Sequence, residues 1–142
     1  DMLATFAALT GQSLKEDQKA DSVNVLPALV GEPESPLRDH LVLSPRKASH
    51  ISLRKGKWMY IPAKGSGGFT GGPGKHGAGG PACTSFIGNV NSDIANGKIK
   101  KAAPAAQLYD LEADLNQTKN VFSQYPEVVQ EMEALLESYL KK

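Results

Sequence analysis

Cysteine is nearly missing from this sequence: Cys83 stands alone. No internal disulfide can form, so packing has to hold the fold, and the thiol reads as a small apolar side chain. No apolar run approaches the roughly 18 residues that a membrane-spanning helix needs, and no secretory leader opens the chain. The first residue is Asp1 rather than Met, which leads us to expect the natural N-terminus upstream and leaves export open. Aromatic residues make up 6%. Near the basic stretch only Trp58, Tyr60, Phe69 and Phe86 could stack on bases, and no nucleic-acid motif accompanies them.

Acidic residues are absent between His40 and Ser92, where Arg46, Lys47, Arg54, Lys55, Lys57, Lys64, Lys75 and all three histidines lie. From residue 107 to 140 the balance reverses: Asp110, Glu112, Asp114, Glu127, Glu131, Glu133 and Glu137 face Lys119 alone. The formal net charge of +1 therefore conceals a basic half and an acidic half. A basic face with exposed backbone N–H groups can hold an anion, and it can equally be a solvated strand surface. Residues 64–80 carry nine of the 14 glycines, too much backbone freedom for a regular element, so a loop is expected there. Gly72-x-Gly74-x-x-Gly77 has the dinucleotide spacing, but Ala78-Gly79-Gly80-Pro81 follows where a helix would have to receive the pyrophosphate. Gly74-Lys75 ends like a P-loop, yet Phe69 stands at the required glycine and His76 at the magnesium-binding hydroxyl.

Periodicity supplies the elements. Met2, Leu3, Phe6 and Leu9 keep helix spacing behind Asp1 at the N-cap, with Gly11 at the left-handed stop. Residues 12–21 read as polar linker. Ser22 is placed to cap a second short helix carrying Val23, Val25, Leu26, Leu29 and Val30 up to Gly31, with Pro27 restricting its first turns. These apolar segments have no evident partner within 142 residues. They suit a surface facing a domain outside this chain, or a two-helix lid on a sheet. Residues 37–44 read as a strand beside the Ile51 and Trp58 strands. Ile51 and Leu53 alternate with polar neighbours before Lys55-Gly56, and Trp58, Met59, Tyr60 and Ile61 follow it, which predicts a β-hairpin. Pro126 suits a first helical position, and Val128, Val129, Met132, Leu135, Leu136 and Tyr139 form one apolar stripe behind it. Met132 and Tyr139 are expected in the core, with Glu127 and Glu131 early and Lys141 and Lys142 late, as the helix dipole favours. The expected fold class is α+β, a small antiparallel sheet packed by a C-terminal helix.

The run Leu53-Arg54-Lys55-Gly56-Lys57-Trp58-Met59-Tyr60 resembles the Ile-Arg-x-Gly-x-Trp-Lys-Leu strand pair in the C-terminal subdomain of the type I sulfatases, the arylsulfatase and N-acetylgalactosamine-6-sulfatase-like family. Asp1-Met2-Leu3-Ala4-Thr5 through Gly11 is similar to the family's Asp-Leu-x-Pro-Thr helix, and residues 22–31 to its Leu-Pro-x-Leu-x-Gly segment. Gln107-Leu108-Tyr109-Asp110-Leu111, Asp114, Asn120 and Tyr125-Pro126-Glu127 resemble its Leu-Tyr-Asp-Leu, Asp-Pro-x-Glu-x-x-Asn and His-Pro-Glu run. Ala4, Met59, Leu115 and Gln117 depart from the usual Pro, Lys, Pro and Glu, and residues 64–104 have no counterpart in the pattern.

The resemblance implies a sheet of about four strands with its closing helix, the C-terminal part of an alkaline-phosphatase-like fold. Residues 1–31 would be the helical tail of a catalytic domain, and 32–142 the C-terminal subdomain with a Gly-rich loop at 64–81. The family's formylglycine arises from Cys or Ser in Cys/Ser-x-Pro-x-Arg; Thr84, Ser85, Phe86 and Ile87 follow Cys83, and no serine fits. The resemblance therefore implies that calcium, formylglycine and the catalytic residues belong to a preceding domain. None of the metal or catalytic residues is expected in this segment, which would be inactive alone. That preceding domain is the implied partner. The substrate would be a sulfated carbohydrate or aryl sulfate, the location periplasmic or secreted, and neither nucleic acid nor membrane is expected. His50, Lys75 and His76 are the candidate substrate contacts, because cationic or hydrogen-bonding groups near a loop suit a polyanion. The alternative from another class is a stand-alone polyanion-binding module for a sulfated glycan or nucleic acid, and a third reading is a scaffold whose basic face meets only water.

Overall fold

The Gly56-Lys57 turn forms where the sequence places it, with Gly56 at φ +53°, the positive-φ position that favours glycine in a two-residue hairpin. A computed structural model describes residues 1–19, 22–45, 48–65 and 90–140. The turn joins β2 (Ser52–Lys55) to β3 (Trp58–Ile61), and β1 (His40–Leu43) pairs with β2. Two further short strands, β4 (Ile94–Ala95) and β5 (Lys98–Ile99), make a separate hairpin. Strand β6 (Gln107–Asp110) returns to pair with β3, so the main sheet is antiparallel with order β1-β2-β3-β6. The first strand starts at His40 rather than at 37 and pairs with β2 alone.

The chain divides into two units, Asp1–Asp39 and His40–Lys142. In the first, α1 (Met2–Leu9) ends at Thr10 and Gly11, whose φ is +69°. Asp1 makes no side-chain cap. Its carboxylate instead accepts from the Val23 amide at 3.1 Å and pairs with the Arg38 guanidinium. The buried Thr5 hydroxyl donates to the Asp1 carbonyl at 2.8 Å and accepts from the Val25 amide at 3.0 Å. Ser22 likewise binds the Ala4 amide at 3.0 Å instead of capping a helix. These side chains tie residues 22–25 to α1, so the next helix cannot start at Ser22. The expected linker holds a short helix, α2 (Glu16–Lys19), with Glu16 and Asp17 in its first turn. Helix α3 is only Leu26–Val30, beginning where Pro27 falls within the first two positions, since proline is free of penalty only there.

Cross-strand register sorts the main sheet into two faces. Val42, Leu53, Tyr60 and Leu108 are successive partners across the four strands. They share one face with His40, Lys55, Trp58 and Asp110. Over it lies α4 (Pro126–Leu140), which buries Val129, Met132 and Leu136. These side chains join Leu53, Tyr60 and Leu108 in the core, with Val42, Ile51, Trp58, Val128 and Leu135 packed at its margin. Tyr139 departs from expectation. It remains 38% exposed, because it lies one turn past the core at the sheet's edge. There its hydroxyl shares a 2.5 Å hydrogen bond with His40 Nε2 and its ring meets that imidazole edge-on. Trp58 is half-buried against the Tyr125 ring, with centroids 4.9 Å apart. Lys141 and Lys142 lie outside the described residues.

The β4–β5 hairpin turns on Asn96 and Gly97, at φ 49° and 69°. Both are positive, as a type I′ turn requires. The Asn-Gly dipeptide is itself the sequence signal for this hairpin, within a stretch where the motif pattern implies no element.

Leu53 is wholly buried, whereas Leu43 is 38% exposed on the edge strand. Leu53→Ala is expected to cost about 3 to 4 kcal/mol in denaturant unfolding, and Leu43→Ala about 1 kcal/mol or less. The half-buried Trp58→Ala should fall between them at about 2 to 3 kcal/mol, under the usual cost for a fully buried large aromatic. Equal losses at Leu53 and Leu43 would contradict this placement of the core.

Candidate functional site

Of the three candidate contacts, His50 lies among the described residues and Lys75 and His76 lie outside them. His50 ends a 3-10 turn, Ala48–His50, immediately before β2. Its ring is only 7% exposed, with Nδ1 3.1 Å from the Ser49 hydroxyl. The structure therefore presents little imidazole surface to a ligand at this position. The Gly-rich loop 64–81 is described only at its start, residues 64 and 65, and Cys83 falls outside.

The two charge blocks, separate in sequence, meet in the fold. Lys55 Nζ donates to Glu131 Oε1 at 2.7 Å, and Lys57 Nζ to Asp110 Oδ2 at 2.7 Å. The Lys57 ammonium also lies 4.8 Å from the Trp58 ring centroid. The Lys57 hydrogen bond is the main reason that the Asp110 carboxyl titrates below its ordinary range. Tyr60 donates to Glu133 Oε1 at 2.7 Å. Part of the basic hairpin is thus neutralised by the acidic half and is not open to an external anion. Arg54 and Lys64 remain exposed.

On the opposite face of β6 stands a second, polar arrangement. Gln107 and Tyr109 alternate with Leu108 and so point away from α4, yet each is only 1% exposed. The Tyr109 hydroxyl donates to Gln107 Oε1 at 2.7 Å and accepts from Asn91 Nδ2 at 2.9 Å. Gln107 Nε2 donates to the Ala63 carbonyl at 2.7 Å and to the Gly65 carbonyl. Asn91 Nδ2 also reaches the Gln117 carbonyl at 2.9 Å, while Asn91 Oδ1 accepts from the Asp93 amide at 2.9 Å. Asn120 continues the network. Its Nδ2 donates to Asp93 Oδ2 at 2.6 Å and to the Ala106 carbonyl at 3.1 Å, and its Oδ1 accepts from the Leu108 and Phe122 amides, each at 3.0 Å. Buried polar groups satisfied this fully specify one arrangement, because any rotation leaves a donor or acceptor stranded.

The motif residues thereby gain physical roles. Asp110 Oδ1 receives the Glu112 and Ala113 amides at 3.1 and 3.3 Å, and Asp114 holds the Thr118 hydroxyl and the Lys119 amide at 3.0 and 2.8 Å. Burial alone would raise the Asp114 carboxyl, but these bonds bring it below the ordinary range. Tyr109, Asp110, Asp114 and Asn120 are turn-makers and staples. Among the described residues no three His, Cys, Asp or Glu side chains gather as a metal site. No donor set among them fits calcium.

No protein-family model matches the chain. A curated N-acetylgalactosamine-6-O-sulfatase of Bacteroides thetaiotaomicron is 31% identical over 138 residues, which is 97% of this chain and 22% of that protein. A solved 6S-sulfatase structure connected with the metabolism of multiple glycosaminoglycans in the same organism superposes with a TM-score of 0.65 at 29% identity. It covers 100% of this chain and 24% of its own. The chain matches a C-terminal part of a sulfatase. Its four-stranded antiparallel sheet and closing helix are those of the C-terminal portion of an alkaline-phosphatase-like sulfatase, as the motifs implied. The chain spans less than a quarter of the length of either relative.

Burial, above all, pushes the Tyr109 hydroxyl up from 10.0 to about 12. The stability that its protonated form contributes is complete below pH 10, where the unfolded tyrosine would still hold its proton. It is lost as pH rises toward 12. Unfolding free energies of wild type and Tyr109→Phe should therefore converge by on the order of 2 kcal/mol between pH 10 and 12. A difference that stays constant over that window would remove the role given to this hydroxyl.

Proposed function

We propose that the chain is the C-terminal segment of a sulfatase that hydrolyses sulfate esters of sulfated carbohydrates, and that it supplies structural support and one wall of the substrate cleft. The carrying observation is the 31% identity to an N-acetylgalactosamine-6-O-sulfatase over 97% of the chain. In this reading a preceding domain of a longer, exported polypeptide holds the calcium, the formylglycine and the catalytic residues. Residues 1–31 are the tail of that domain, and 32–142 the subdomain. The exposed apolar side chains of Met2, Leu3, Phe6, Leu9, Leu29 and Val30 support a docking partner of this kind, since soluble surfaces seldom leave so many large apolar groups together. The loop 64–81 with Lys75 and His76 contributes cationic and hydrogen-bonding groups for a sulfated sugar away from the scissile ester. The buried His50 would stand behind that wall. A stand-alone polyanion module draws less support, because Lys55 and Lys57 are committed to Glu131 and Asp110.

The 142-residue chain alone should not turn over nitrophenyl sulfate above a buffer control. In the longer polypeptide, replacing both Lys75 and His76 by Ala should lower kcat/KM for an oligosaccharide ending in N-acetylgalactosamine-6-sulfate about tenfold, a loss of roughly 1.4 kcal/mol, through poorer positioning of the substrate. Nitrophenyl sulfate, too short to reach the loop, should be nearly unaffected. Activity of the isolated chain would overturn the segment reading, and no loss on the oligosaccharide would overturn the cleft wall.

A further inference from the structure

Between residues 90 and 109 the chain holds one acidic residue, Asp93, and three basic ones, Lys98, Lys100 and Lys101. All three lysines are exposed, on β5 or just beyond it. Asp93 is only 4% exposed, and its carboxylate accepts from the Ser92 hydroxyl at 3.1 Å and from Asn120 Nδ2 at 2.6 Å. It is not presented at the surface to cancel them. Among the described residues no carboxylate pairs with Lys98, Lys100 or Lys101, in contrast to Lys55 and Lys57. Lys100 Nζ donates to the Ser92 carbonyl at 2.7 Å, a neutral acceptor that orients the ammonium and leaves its charge in place. We propose that the β4–β5 hairpin, extended by Lys101, is a binding site for a sulfated glycan chain.

The register places the charges before any ligand arrives. Ala95 stands opposite Lys98 and Ile94 opposite Ile99, and the Lys100 amide on the Asp93 carbonyl at 2.8 Å continues the ladder by one residue. Lys98 and Lys100 therefore fall on the same side of the hairpin, their backbones about 7 Å apart along the chain. Ala95 adds no bulk over the Lys98 stem. The base is tied down by the Ile94 amide on the Asn91 carbonyl at 3.1 Å, the Ser92 amide on the Thr118 carbonyl at 2.7 Å and the Ala103 amide on the Lys100 carbonyl at 3.1 Å. A backbone fixed in this way loses little freedom when a ligand binds.

The chemistry selects the ligand class. Lysine ammoniums act as point charges that suit sulfate oxygens through charge-assisted hydrogen bonds, and a short run such as Lys98-Ile99-Lys100-Lys101 is a polyanion signal. Nucleic acid is gripped by stacking on aromatic side chains as well as by charge, and residues 90–108 contain no aromatic. A sulfated glycan needs none. Its choice over other polyanions rests on the sulfatase reading above.

The 142-residue chain should bind immobilised chondroitin 6-sulfate at low ionic strength, and the affinity should fall as salt is added. Lys98→Ser combined with Lys101→Ser should weaken binding about tenfold and flatten the salt dependence, with circular dichroism unchanged. Lys100 is kept in that variant because its ammonium also holds the Ser92 carbonyl. Lys15→Ser combined with Arg54→Ser removes the same charge from other exposed positions and should change binding less than about twofold. Equal losses in the two double variants would reduce the attraction to net charge and overturn the site, as would a wild-type chain that does not bind. Hyaluronan, which lacks sulfate, or single-stranded DNA bound as tightly through the same lysines would overturn the assignment to a sulfated glycan. Hairpin-dependent binding in a longer polypeptide that cleaves neither the sulfated oligosaccharide nor nitrophenyl sulfate would end the sulfatase reading and leave the hairpin site standing. Cleavage without hairpin-dependent binding would do the reverse.

Discussion

Strand β6 is buried on both faces, and its outer edge is closed. Leu108 goes under α4, and Gln107 and Tyr109 go into a satisfied polar network on the other side. The Leu108 N–H and C=O, which would otherwise face solvent as an unpaired edge, bind Asn120 Oδ1 and the Val121 amide. An open edge is a template for unwanted pairing, and an unpaired buried amide costs on the order of 1 to 3 kcal/mol. Meeting both demands places Asn120 within hydrogen-bonding reach of Leu108, which brings the chain round to start α4 at Pro126.

The two faces are held by different physics. Under α4 the contact is apolar and tolerant of shape, with the Lys55–Glu131 ion pair and the Tyr60–Glu133 bond fixing the helix's rotation at the rim. On the far face the contact is directional, and hydrogen-bond valence fixes positions that apolar packing would leave free to adjust. The apolar face buries the side chains under α4, and the polar one ties the carbonyls of residues 63 and 65 and the Asn91 side chain to β6.

The motif from Tyr109 to Asn120 illustrates how recognition and role can separate. It contributed to the resemblance to sulfatases, and its side chains cap turns and staple strands. Asp110, Asp114 and Asn120 suit that role for geometric reasons, because a short carboxylate or amide can receive backbone amides at those spacings.

Local chemistry alone determined the hairpin at Gly56, the stop at Gly11, and the helix from Pro126 with Val129, Met132 and Leu136 inward, since each depends on neighbours in sequence. The Asn96-Gly97 hairpin is also local, since both turn residues take the positive φ that this dipeptide favours. Other features needed the third dimension. Ser22 and Asp1 serve as acceptors for amides some twenty residues away instead of capping their own helices, a choice among equally good local options that only the folded chain makes. Tyr139 satisfies the helical stripe but runs past the sheet it should cover. The pairing of Lys55 with Glu131 and Lys57 with Asp110 turned a basic half into a partly neutralised one, because charge adds over space and not along the sequence. The burial of Gln107 and Tyr109 could not be read from an alternation that assigns one strand face to solvent. Their partners, Asn91 and the carbonyls of Ala63 and Gly65, come from across the fold, and only tertiary structure brings them within hydrogen-bonding distance.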